Sequence, residues 1–81
     1  MKQAPRAIHH ADAMRLLSDG HPHDLRLWEL RTGDILHYPA ARRKGRHTSG
    51  GVTRLLLIPS GQIRAMRDIC LFEIDGLRVF L

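Results

Sequence analysis

Three scarcities shape this 81-residue chain: one cysteine, four aromatic residues, and no acidic residue between Asp34 and Asp68. The lone Cys70 excludes an internal disulfide and agrees with a reducing compartment. It sits among apolar neighbours and reads as a small buried hydrophobe. With only Trp28, Tyr38, Phe72 and Phe80 as aromatics, aliphatic side chains must make most of the core. No stretch approaches the ~20 apolar residues of a membrane span. The opening MKQAPRAIHHADAM also lacks the apolar run of roughly 7–15 residues found in a secretory signal. No membrane partner is expected, and the cytoplasm is the expected location.

The chemistry-bearing patterns are also sparse. Six histidines are present (His9, His10, His21, His23, His37 and His47), but nowhere in more than a pair. A structural zinc site needs four ligands at recognisable spacing, usually with cysteine, so no metal is expected. Ser49 and Ser60 lie in glycine-containing turns and neither sits in a G-x-S-x-G nucleophile elbow. No carboxylate pair is placed for acid–base work. Gly50-Gly51 is too short to be a phosphate-cradling loop. The expectation is a non-enzymatic protein with no catalytic residue and no cofactor.

The terminal stretch Ile69–Leu81, ICLFEIDGLRVFL, is the clearest structural signal. Asp75-Gly76 is a two-residue loop suited to a type I′ turn, which needs φ > 0 at both positions. The register that follows pairs Ile74 with Leu77, Glu73 with Arg78, Phe72 with Val79, Leu71 with Phe80 and Cys70 with Leu81. Both faces are then largely apolar, and such a hairpin needs a core on one side and a cover on the other.

The rest of the chain reads as supplying both. Residues 1–9 lack periodicity, contain Pro5 and read as a flexible N-terminal arm. Residues 10–81 read as one small domain. Residues 10–18 form a helix: Asp12 suits its first turn, Gly20 lies past its end, and Ala13, Leu16 and Leu17 make one stripe with Met14 at its edge. The expected docking face is Ile69, Leu71 and Phe80.

Residues 23–81 read as short strands joined by tight turns. His23–Arg31 is the first, turning at Thr32-Gly33. A two-residue turn there pairs Trp28 with His37 and Leu27 with Tyr38, and a three-residue loop shifts this by one. The second strand starts at Asp34, bends at Pro39, which cannot donate a ladder bond, and is expected to run to about His47. Val52–Ile58 is the third. A Pro59-Ser60-Gly61 turn leads to a fourth, Gln62–Arg67, with Leu57 opposite Ile63 and Leu55 opposite Ala65. That register turns Ile63 and Ala65 inward and Arg64 and Met66 outward. The expected fold is mainly β: a small SH3-like or related partly open barrel of five to six antiparallel strands with one short N-terminal helix.

Charge narrows the partners. The acid-free interval holds seven of the thirteen basic residues, and the remainder carries six basic against eight acidic residues. One expectation is a nucleic-acid surface built from Arg42, Arg43, Lys44, Arg46, Arg54, Arg64 and Arg67, with Trp28 and Tyr38 as stacking platforms. The leading expectation is a binding or assembly module, with a protein partner or a second copy meeting Trp28, Leu30, Leu56 and Ile58.

Overall fold

The structure, a computed structural model, describes residues 6–45 and 50–81. It is mainly β with one short helix. Seven strands form one open sheet: β1 Ala7–His9, β2 His23–Trp28, β3 Ile35–Arg43, β4 Val52–Leu57, β5 Ile63–Arg67, β6 Leu71–Ile74 and β7 Leu77–Phe80. The helix, α1, spans His10–Leu17, and a 3-10 turn covers Asp68–Cys70. The spatial order is β1-β7-β6-β2-β3-β4-β5. Among the described residues no ladder joins β5 back to β6 or β2, so the sheet is not closed.

The terminal hairpin forms about Asp75-Gly76. Both residues have positive φ, +51° and +80°, and Glu73 pairs with Arg78 and Ile74 with Leu77 as the turn requires. Its far end departs from strict alternation. Against β2, Leu25 faces Ile74, Arg26 faces Glu73 and Leu27 faces Leu71. One extra residue, Phe72, is therefore accommodated on β6 as a bulge. The bulge turns Leu71 to the same side as Ile74, and both are buried. Phe72 goes to the opposite side, against Trp28, with ring centroids 5.1 Å apart. Ile69 and Cys70 leave the strand for the 3-10 turn.

Asp68 holds that turn. Its N–H donates to the Gly51 carbonyl at 2.8 Å. Its carboxylate accepts from the buried Thr53 hydroxyl at 2.6 Å. Its carbonyl lies 2.7 Å from His10 Nε2 at the head of α1.

The helix buries Ala13 and Leu17. It does not cover the expected face, because Ile69 and Phe80 remain exposed. It follows directly on β1, which pairs in parallel with β7: Ala7 with Arg78, Ile8 with Val79, His9 with Phe80. So Ala7–His9, read as part of an arm, add a seventh strand. Three residues with one half-buried side chain carry no periodicity to announce it. The strand count and all-antiparallel pairing expected from the sequence are corrected accordingly.

Two other registers differ. Trp28 faces Ile35, and Leu25 faces Tyr38. A four-residue loop, Leu30 to Gly33, replaces the shorter turn. It is closed by Glu29 N–H to the Asp34 carbonyl at 2.8 Å and Gly33 N–H to the Glu29 carbonyl at 2.7 Å. The shift from a two-residue turn is two residues, which keeps every side chain on its face. On β4 and β5 the slip is one residue: Leu56 faces Ile63, Leu55 faces Arg64, and Thr53 faces Met66. That reverses β5, so Met66 is buried while Ile63 and Ala65 are exposed. The cause is again a four-residue loop, closed by Leu57 N–H to the Gln62 carbonyl and Gly61 N–H to the Leu57 carbonyl. Pro39 and Ala40 do form a bulge, standing against Asp24 alone.

The core is Leu25, Leu27, Leu55, Met66, Leu71 and Ile74 with Ala13, Leu17, Ala41 and Cys70. It contains no aromatic ring. Asp75 ties the hairpin to β2: its N–H donates to the Asp24 carbonyl at 2.8 Å and its carboxylate accepts from the Asp24 N–H at 2.9 Å. The second oxygen meets His23 Nδ1. We predict that Asp75→Ala lowers unfolding free energy by about 1–3 kcal/mol, because it strands the Asp24 N–H and one side of His23. Gly76→Ala costs about 1–2 kcal/mol through its left-handed backbone. Leu81→Ala, at an exposed end, stays within about 0.5 kcal/mol. Urea titrations of the three variants check this ranking.

Candidate binding cleft

The sheet curls until β5 faces the end of β2, and a cleft of about 490 Å³ lies between them. One wall is Leu27–Arg31 and the other is Arg64–Arg67; Leu36, Tyr38, Val52 and Cys70 complete the lining. The four-residue loop after β2 matters here, because it carries Leu30 and Arg31 to the mouth. Trp28 is 44% exposed and Leu30 60%. Tyr38 is half-buried beside the core.

The sequence candidates divide among separate surfaces. Trp28, Tyr38, Leu30, Arg64 and Arg67 meet in the cleft. Arg42 faces Leu56 across β3 and β4. The Lys44 N–H reaches the Arg54 carbonyl at 2.8 Å, so by alternation Arg42, Lys44, Arg54 and Leu56 share the outer face. Arg43 pairs with Leu55, points the other way and is half-buried. Ile58 lies in the loop after β4 and does not line the cleft. Arg46, and the expected extension of the second strand to His47, lie outside the described residues. The proposed basic surface and the proposed apolar surface are thus each split, and one part of each coincides.

Sequence reasoning missed Arg31, Leu36 and Met66. Arg31 reads from the sequence as the end of the first strand, whereas the loop from Leu30 to Gly33 carries it to the cleft, and the one-residue slip brings Met66 inward. The Trp28–Phe72 contact was missed because a bulge has no mark in the alternation.

Cleft electrostatics are one-sided. Three arginines (31, 64, 67) stand against Glu29, a balance of three minus one, or +2. Among the described residues none of the three is in an ion pair. Arg64 bonds only locally, to the Ile63 carbonyl at 3.3 Å and Gln62 Oε1 at 2.9 Å.

The acidic residues cluster elsewhere. His23, 8% exposed, is held between Asp75 and Asp19, with Nε2 3.0 Å from Asp19 Oδ1. Nearby, His37 Nε2 lies 2.8 Å from Asp24 Oδ1. Burial pushes the His23 imidazole toward the neutral form, but the hydrogen bonds to Asp19 and Asp75 together outweigh it, and its pKa rises above the ordinary 6.5. Asp19 is held below its ordinary value, first by the His21 N–H and then by His23. Among the described residues no group of three or more His, Cys, Asp or Glu is placed to hold a metal ion. No helix there is long and apolar enough to cross a membrane.

Comparison with protein-family models, with curated proteins and with solved structures gives no match.

The histidine cluster sets a pH dependence. Folding raises the His23 pKa, so its contribution is fully present below pH 6.5 and is lost as pH rises through the folded value. Asp19, lowered on folding, contributes above its ordinary 3.8 and loses that as pH falls. Urea midpoints should therefore be higher at about pH 6 than at about pH 8.5, and Asp19→Asn should shrink that difference. A midpoint that rises with pH over this interval contradicts the assignment.

Proposed function

We propose that the chain is a small non-enzymatic binding or assembly module that acts in the cytoplasm through protein–protein contacts, with the cleft as its docking surface. The observation that carries this reading is the pair Trp28 and Leu30. Both are large, apolar and exposed, and both line a cleft whose apolar lining includes Leu27, Leu36 and Met66. Aromatic and arginine side chains around an apolar centre are the usual anchors of protein interfaces. An SH3-like arrangement belongs to the same reading. It is supported by the run β6-β2-β3-β4-β5 in the sheet order, with a 3-10 turn between β5 and β6. Self-association would use the separate apolar pair on the outer face, Leu56 and Ile63, with Ile58 in the adjoining loop.

A second reading, nucleic-acid binding, is favoured by one observation: Trp28, Tyr38, Arg64 and Arg67 line a single cleft. Strands β3, β4 and β5 also contain no acidic residue. Against it, Tyr38 is packed on the core and Trp28 already meets Phe72. Little aromatic surface is left on which a base could stack.

Two measurements separate the readings. Panning a displayed random-peptide library on the immobilised protein should recover binders that a Trp28→Ala/Leu30→Ala variant releases. Fluorescence polarisation with mixed-sequence DNA and RNA should give no affinity tighter than the nonspecific range of about 10⁻⁴–10⁻⁶ M at physiological salt. Tighter, steeply salt-dependent oligonucleotide binding without peptide recovery would replace the first reading with the second.

A further inference from the structure

The lining of the cleft is unusual in being consecutive. It takes Arg64, Ala65, Met66 and Arg67 from β5 and Leu27 to Arg31 from the facing wall. Successive side chains of a strand point to opposite faces. Consecutive residues therefore line one space only when it runs along the strand's edge. Among the described residues β5 is the last strand of the sheet and pairs only with β4. Asp68 N–H donates to the Gly51 carbonyl, and Leu57 N–H to the Gln62 carbonyl. Counting by twos between these bonds puts the Arg64 and Met66 amides in the β4 ladder. The amides of Ile63, Ala65 and Arg67 point out along the free edge.

We propose that this edge receives an extended segment of a partner protein, added as a strand along β5, and that the segment carries two carboxylates three residues apart with apolar residues between them. This rests on the protein-contact reading and names the partner's chemistry. An added strand sets one residue beside each residue of β5. Those beside Arg64 and Arg67 are acidic; those beside Ile63, Ala65 and Met66 are apolar. Among the described residues neither arginine meets a carboxylate across the sheet, since their partners on β4 are Leu55 and Val52. Arg31, on the facing wall, adds a third cation toward the same segment.

A second copy of this edge, paired about Ala65, sets no carboxylate beside either arginine. Outward amides must meet outward amides in an antiparallel pair, so two β5 edges pairing about Ala65 set Arg64 opposite Met66 and Arg67 opposite Ile63. Cations along an edge discourage indiscriminate pairing, and these two select an acidic strand.

The test uses the full chain and three capped, dye-labelled ten-residue peptides. One has Glu-Val-Val-Glu at its centre, which suits either strand direction, and the others carry Gln or Lys in place of Glu. A single-stranded DNA of mixed sequence is the fourth probe. At low salt the Glu peptide should bind roughly fivefold to tenfold tighter than the Gln peptide, and it should shift the backbone amide resonances of β5 and of residues 27–31. Arg64→Glu/Arg67→Glu should invert the preference toward Lys, and Arg64→Gln/Arg67→Gln should abolish it. Both sites are exposed, and matching thermal melts would show that the variants fold.

Three results overturn the proposal and leave a protein-contact module standing: a preference for the Gln or Lys peptide, shifts confined to the outer face of β3 and β4, or no peptide bound at about 1 mM while library binders depend on Trp28 and Leu30. Tight DNA binding with no peptide bound by either assay overturns both.

Discussion

One carboxylate at a hairpin tip sets the arrangement of this sheet. Asp75 occupies a left-handed position that its turn demands, and from there it binds the start of β2. It exchanges backbone and side-chain hydrogen bonds with Asp24 and faces the buried His23. The terminal hairpin is thereby fixed beside β2, at the middle of the strand order. β7 then offers its other edge to β1, and β2 offers its other edge to β3. The meander continues through β4 to β5, which comes round toward β2 and leaves a gap along its edge. The cleft is the remainder of a sheet that curls without closing.

Small backbone irregularities turn that frame into a surface. The bulge at Phe72 puts Leu71 into the core and sends an aromatic ring to Trp28. The loop from Leu30 to Gly33 lifts an aliphatic and a cationic side chain to the mouth of the cleft. Asp68, just past the end of β5, ties β4 and α1 together through Thr53, Gly51 and His10. Charge is divided in the same way: carboxylates gather around His23, and arginines that form no ion pair among the described residues gather around the cleft.

The parts legible in the sequence were those governed by local chemistry. Asp75-Gly76 announced its turn and the adjoining register. Gly20 and Asp12 bounded the helix, and Pro39 marked a bulge. The illegible parts depended on loop lengths and on pairings distant in sequence. A four-residue loop after Leu57 moved β5 by one residue and exchanged Met66 for Ile63 and Ala65 in the core. The parallel pairing of Ala7–His9 with β7 had no local sign. The site candidates suffered accordingly: Trp28, Leu30, Tyr38, Arg64 and Arg67 converge, whereas Arg42, Lys44, Arg54 and Leu56 lie on another face and Ile58 in a loop. Arg31 escaped notice because its position is decided by the loop that carries it.

Native-state amide hydrogen exchange tests the unclosed sheet most directly. The account predicts slow exchange in β2 and β6, where both edges are paired, and in the Arg64 and Met66 amides of β5. It predicts fast exchange at the Ile63, Ala65 and Arg67 amides, which point out along the free edge of β5. Protection of those three amides equal to that of β2 would mean that β5 is paired on both sides, and would contradict the cleft and the functional reading built on it.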